Sequence, residues 1–174
     1  MLGLFSAKSG HPLADAKEAR RVLGELSVRD AATALDEVSG WLESVAGDEI
    51  LNLSDRLALV FQLDEAVQTQ ARKLGRDYLT SPRLGRQQEY KLWQANHDFW
   101  AQLGNAYDSC LTRYREQEKG SEAIKSDVPL LIVRMLRAYS GQLKWDQFRY
   151  GPINAELWQR MGRAYLFAEQ GRFS

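Results

Sequence analysis

Hydrophobic positions along the chain recur every three or four residues, and no stretch alternates apolar with polar for long. That spacing belongs to amphipathic helices rather than strands. A first helix starts at Asp15, whose carboxylate can cap it with Glu18 at capping-box spacing, and it buries Ala19, Val22, Leu23 and Leu26. A second, over 31–46, carries Ala31, Ala34, Leu35, Val38, Leu42 and Val45 on one face with Trp41 beside it, and Gly47-Asp48 stops it. Ser54 opens a third over 55–79, where Leu57, Val60, Phe61, Ala71, Leu74 and Tyr78 share a stripe that Asp64 interrupts.

Ser81 as cap and Pro82 at the first position open the longest helix, 83–118. Its seam runs through Trp93, Asn96, Trp100, Leu103, Tyr107, Cys110 and Tyr114. A stripe that wide needs several neighbouring helices to cover it. Pro129 opens a fifth helix bearing Leu130, Val133 and Leu136, with Ser140-Gly141 expected to weaken it before Leu143, Trp145 and Phe148. After Gly151-Pro152, Asn154 caps a sixth bearing Leu157, Trp158, Met161, Tyr165 and Ala168, with Gly171 near its end. The predicted fold is all-α, a single bundle of about six helices around the long helix 83–118. Residues 13–174 form the domain, and 1–12 form a flexible lead-in where Gly10, His11 and Pro12 discourage helix.

Composition narrows the class. The chain has 174 residues, 44% hydrophobic and 26% charged, enough to bury a sizeable core. Five Trp, seven Tyr and six Phe with no net charge exclude intrinsic disorder. A single Cys excludes an intramolecular disulfide framework and cannot supply a structural zinc site. The longest apolar run, Val128-Pro-Leu-Leu-Ile-Val133, falls far short of a membrane span, and Leu2 to Phe5 is too short for a signal-peptide core. A cytoplasmic location with no membrane association is the expectation.

Catalytic and metal chemistry find little support. The only histidines are His11 and His97, and the residue three before His97 is Gln94 rather than the Glu of a bundle di-metal site. Cys110 lies on an apolar stripe, where a thiol acts as a small hydrophobe. No phosphate loop, nucleophile elbow or His-Glu-x-x-His is present. Asp64 and Asn96 are polar residues on apolar faces. The favoured reading pairs Asp64 with an Arg or a Tyr hydroxyl and gives Asn96 a role in helix register. The other reading places a ligand or enzymatic pocket near Asp64, Asn96 and Tyr107.

Zero net charge hides an asymmetry. Residues 15–65 hold 12 acidic and 5 basic side chains, whereas 66–174 hold 17 basic and 11 acidic. Arg72, Lys73, Arg76, Arg83, Arg86 and Lys91 cluster across the turn at Pro82, facing only Asp77 and Glu89. Either the acidic helices neutralise these cations inside the bundle, or the cations await an acidic partner or a phosphate-bearing ligand.

Two segments share a pattern, Trp100-x-x-Leu103-Gly104-x-x-Tyr107 and Trp158-x-x-Met161-Gly162-x-x-Tyr165. Each resembles the first helix of a tetratricopeptide repeat, where glycine lets a partner helix approach closely. Their 58-residue separation and the missing second-helix signature argue for helix-hairpin packing rather than a repeat array. Other segments carry a wider resemblance: His11-Pro-Leu-Ala-Asp15, Trp41-Leu-Glu-Ser44, Leu63-Asp-Glu-Ala66, Arg72-Lys-Leu with Asp77-Tyr-Leu, and Arg149-Tyr-Gly-Pro152 before Leu157-Trp158. By these the chain resembles the helical N-terminal region of β-proteobacterial proteins associated with atypical PilZ-type cyclic-di-GMP receptors. The resemblance implies a regulatory or scaffold role in a bacterial cytoplasm. The PilZ ligand signature, Arg-x-x-x-Arg followed by Asp/Asn-x-Ser-x-x-Gly, is not reproduced. Arg72-x-x-x-Arg76 matches only its first half, inside a predicted helix, so no nucleotide-binding residue carries over.

The functional expectation is a non-catalytic regulatory or scaffold module that binds another protein or a fused domain through a helical surface. Arg83, Arg86 and Lys91 would supply its basic corner, and Trp145, Phe148 and Tyr150 an exposed aromatic ledge. No cofactor, no metal, no nucleic acid and no direct cyclic-dinucleotide binding by this chain alone are expected.

Overall fold

A computed structural model describes residues 11–80, 85–116, 121–148 and 154–172. Within them lie six α-helices: α1 (Ala16–Val28), α2 (Ala31–Gly47), α3 (Leu53–Thr80), α4 (Arg86–Glu116), α5 (Val128–Gln147) and α6 (Ala155–Arg172). Two 3-10 segments, Pro12–Ala14 and Ser121–Asp127, precede α1 and α5, and the described residues contain no strand. The all-α bundle predicted from periodicity is the observed architecture.

Helix starts follow the caps. The Asp15 carboxylate accepts from the Lys17 and Glu18 N–H groups at 3.0 and 2.8 Å, and that of Asp30 from Thr33 at 3.1 Å. Asn154 caps α6 through Leu157 at 3.0 Å. The start of α3 differs from expectation: Asn52, not Ser54, accepts from the Asp55 N–H at 2.8 Å. The helix therefore begins earlier and brings Leu53 into the core. Ser140-Gly141 does not weaken α5, which runs unbroken through both residues because each lies against α4 or solvent without losing its helical hydrogen bonding.

α4 is the spine, packed against α2, α3 and α5, while α6 lies over α5. Its buried residues Phe99, Leu103, Ala106, Tyr107 and Cys110 join Leu35, Val38, Leu42, Val60, Leu63 and Leu131 in one core. The α4–α5 contact is close because each helix offers a glycine to the other's aromatic ring. A Cβ on Gly104 would lie 2.7 Å from Tyr139, and one on Gly141 would lie 2.5 Å from Trp100. Arg56 is fully buried and closes the end of α2 by donating to the Ala46 and Asp48 carbonyls and, at 3.0 Å, to Ser109 Oγ. A cation there offsets the partial negative charge of the helix terminus. The 3-10 segment before α1 is anchored by His11, whose Nδ1 accepts from the Leu13 N–H at 3.1 Å and whose Nε2 meets Ser44 Oγ at 3.0 Å. Residues 1–10 lie outside the described residues.

Candidate docking groove

Three helices converge on a groove of about 480 Å³. α3 contributes Arg72 and Arg76, one turn apart, and α5 contributes Arg137 and Lys144. α4 supplies Asn96 and Trp100 at the floor. Glycine stands on both walls: a Cβ on Gly75 would lie 3.7 Å from the Trp145 ring, and the space at Gly141 is taken by the Trp100 ring. No carboxylate among the described residues lines it. Among the described residues Arg72, Arg76 and Lys144 form no ion pair, and Arg137 reaches down to Asp64.

Beneath the groove Asp64 is fully buried and saturated. Its Oδ2 accepts from the Tyr107 hydroxyl at 2.7 Å, Arg137 Nη2 at 2.5 Å and, more distantly, Arg134 Nη1 at 3.4 Å, while its Oδ1 accepts from Gln68. Arg134 also donates to Glu65 at 2.7 Å and lies over the Phe61 ring. Burial and the adjacent Asp64 carboxylate raise the Tyr107 phenol well above its ordinary value, so it remains a donor. Asp64 thus pairs with both an Arg and a Tyr, as expected. The rival pocket divides: Asp64 and Tyr107 are spent on each other, whereas Asn96 belongs to the groove above. Asn96 is fully buried, its Nδ2 donates to the Leu92 carbonyl at 3.2 Å, and its Oδ1 has no partner.

The six expected docking residues meet different fates. Arg83 and Tyr150 lie outside the described residues. Arg86 is exposed at the start of α4. Lys91 is exposed but faces α2, beside Asp36 in a separate hollow. Trp145 is not a ledge residue: it is 2% exposed, its carbonyl accepts from Trp93 Nε1 at 2.8 Å, and its ring packs on Tyr78. The reason is the continuity of α5, which turns Trp145 inward onto α3 and α4. Phe148, 44% exposed, remains on the surface against Trp145 and Tyr78. Arg72 and Arg76 were legible as part of the basic cluster. Arg137 and Lys144 were not, because α5 brings them there from far along the chain; their spacing of seven residues around Gly141 was the available signal.

The same geometry resolves the charge asymmetry. Cross-bundle ion pairs between the acidic first third and the basic remainder are confined, among the described residues, to Arg134 with Asp64 and Glu65 and Arg137 with Asp64. Among the described residues of the α3–α4 cluster, Arg72, Lys73, Arg76, Arg86 and Lys91 form no ion pair.

A family described as the N-terminal domain of the cyclic-di-GMP receptor FimW matches residues 17–174. The chain belongs to this FimW N-terminal family. The match covers α1 through α6 and agrees with the resemblance carried by the Trp41, Leu63, Arg72 and Leu157 segments. The FimW N-terminal family is a receptor-domain family, which places the chain in a regulatory context. No curated protein and no solved structure matches the chain. Among the described residues no group of His, Cys, Asp and Glu is arranged to hold a metal, and no helix is long and apolar enough to cross a membrane.

Proposed function

We propose that this domain is a non-catalytic docking module that couples a cyclic-di-GMP receptor to another protein or domain in a bacterial cytoplasm. The observation that supports it is the groove between α3, α4 and α5, where, among the described residues, Arg72, Arg76 and Lys144 form no ion pair and Arg137 is paired only with Asp64 beneath the groove. An acidic segment of the partner lies between Arg72 and Arg76 on one wall and Arg137 and Lys144 on the other. The cations speed encounter and set orientation, while half-exposed Phe148 beside Trp145 excludes water at the rim. Arg86 extends the positive surface at the start of α4.

The messenger is not held by this chain alone in this reading, because the groove is open to solvent and its cations stand on opposite walls rather than around one phosphate. A second reading has one observation in its favour: the buried Asn96 Oδ1 without a partner suits a small anionic ligand bearing an N–H or O–H donor.

The test is capture from a native lysate with wild type and with Arg72→Glu/Arg76→Glu. Both arginines are exposed, so the expected result is loss of the captured partner at unchanged Tm. Capture that survives the double charge reversal sinks the docking reading. Calorimetry with cyclic-di-GMP is expected to show no heat of binding, and micromolar affinity would overturn the exclusion of the messenger.

A further inference from the structure

The last helix repeats a motif that the central helix uses, and leaves half of it uncovered. α4 reads Phe99-Trp100-x-x-Leu103-Gly104-x-Ala106-Tyr107, and α6 reads Leu157-Trp158-x-x-Met161-Gly162-x-Ala164-Tyr165. In α4 both sides of the motif are occupied: Phe99, Leu103 and Ala106 enter the core, and Gly104 receives Tyr139 while Trp100 enters the space at Gly141. In α6 the equivalents Leu157, Met161 and Ala164 are buried, 3%, 7% and 3% exposed. The other side faces solvent. Trp158 is 54% exposed, Tyr165 56% and Leu166 61%, and a Cβ on Gly162 would meet nothing within 4 Å.

We propose that the face of α6 centred on Gly162 is a homodimer interface, covered by α6 of a second copy running antiparallel. Three observations select this occupant. The first is the use of the same motif in α4, where glycine flanked by aromatic residues makes a close helix crossing. The second is self-complementarity, which a twofold interface demands. Trp158 lies four residues before Gly162, and Tyr165 and Leu166 lie three and four after it. An antiparallel crossing at Gly162 therefore brings Trp158 of each copy level with Tyr165 and Leu166 of the other, on both sides of the axis.

The third is charge. Ala155, Trp158, Gln159, Gly162, Tyr165 and Leu166 share this face without a charged residue among them. Glu169 at its end stands level with Ala155 of the second copy, so no like charges meet there. Ala155, Trp158, Gly162, Tyr165 and Glu169 are spaced alternately by three and four, which favours a shallow crossing of about 20° and contact along most of the helix.

Sedimentation equilibrium on the whole chain reads the outcome. Wild type is expected to move from 19.8 kDa toward twice that mass as concentration rises to about 200 µM. Gly162→Leu fills the crossing point and is expected to weaken dimerisation at least tenfold. Its Tm should stay level or rise, because the Cβ has room and leucine favours helix over glycine. Trp158→Glu, exposed in the single chain, is expected to do the same with unchanged helical circular dichroism. A wild-type monomer throughout that range overturns the proposal, even if another protein covers the face. So does a dimer that both substitutions leave intact.

Discussion

Asp64→Ala tests the buried network that joins α3, α4 and α5. Asp64 is 0% exposed, and so is Tyr107, whose hydroxyl would lose its acceptor at 2.7 Å. A buried hydroxyl left without a partner costs about 1–3 kcal/mol. Arg134, 18% exposed, keeps Glu65 at 2.7 Å but loses a second carboxylate. Arg137 is 41% exposed and turns toward water, so its share is heavily discounted. Relief of the carboxylate's own burial offsets part of the loss, which leaves a destabilisation of about 3 kcal/mol, at the lower edge for breaking a buried ion pair. For a chain of this size that corresponds to a Tm lower by about 6–12 °C. Guanidinium unfolding followed by tryptophan fluorescence and circular dichroism measures it. Asp64→Asn keeps one acceptor for Tyr107 and should lose about half as much. A double-mutant cycle with Tyr107→Phe should show coupling of about 1 kcal/mol. A loss under about 1 kcal/mol for Asp64→Ala, or full additivity in the cycle, refutes the network as an internal clamp.

Other outcomes are equally checkable. Gly104→Ala should destabilise by about 1–2 kcal/mol, because its Cβ meets the buried Tyr139 ring at 2.7 Å and overpacking outweighs the helix preference of alanine. Gly24→Ala, with open space around it on α1, should stabilise by about 1 kcal/mol, and thermal melts of the pair measure the contrast. Burial holds the His11 imidazole below its ordinary value of 6.5, partly offset by Asp48, so the folded state resists protonation. Stability from this group is complete above pH 6.5 and is lost as pH falls below it toward the folded value, because the unfolded chain there binds more protons. His11→Asn should flatten the Tm profile over that window while an Asn Oδ1 retains the turn. Burial pushes the Cys110 thiol up to about 12, so a thiol-reactive disulfide reagent at pH 8 should label it only after guanidinium unfolds the chain.

Periodicity and most caps determined that the helices form, because both are local: Asp15, Asp30 and Asn154 satisfy N–H groups within three residues of themselves. They did not fix every start or buried face: Asn52 rather than Ser54 caps α3, and on α5 the expected Leu130 and Val133 are 44% and 64% exposed while Leu131, Ile132 and Met135 enter the core. The same local logic foretold that Asp64 needs an Arg or Tyr partner, since a buried carboxylate is costly without one. It did not say which, and the choice of Tyr107, Arg134 and Arg137 belongs to the packing of α4 and α5 on α3. The groove had the same double origin. Arg72 and Arg76 were visible as neighbours in the chain, but Arg137, Lys144 and the unpartnered Asn96 join them only in space.

Trp145 and Trp158 show where sequence ends. Both sit on apolar stripes of amphipathic helices, yet one is 2% exposed and the other 54%. A helix carries its stripe wherever it goes, and only the number of neighbours around it decides how much of that stripe is covered. α4 stands at the centre, so both sides of its tryptophan-glycine-tyrosine motif are filled. α6 stands at the edge, so the same residue pattern becomes surface.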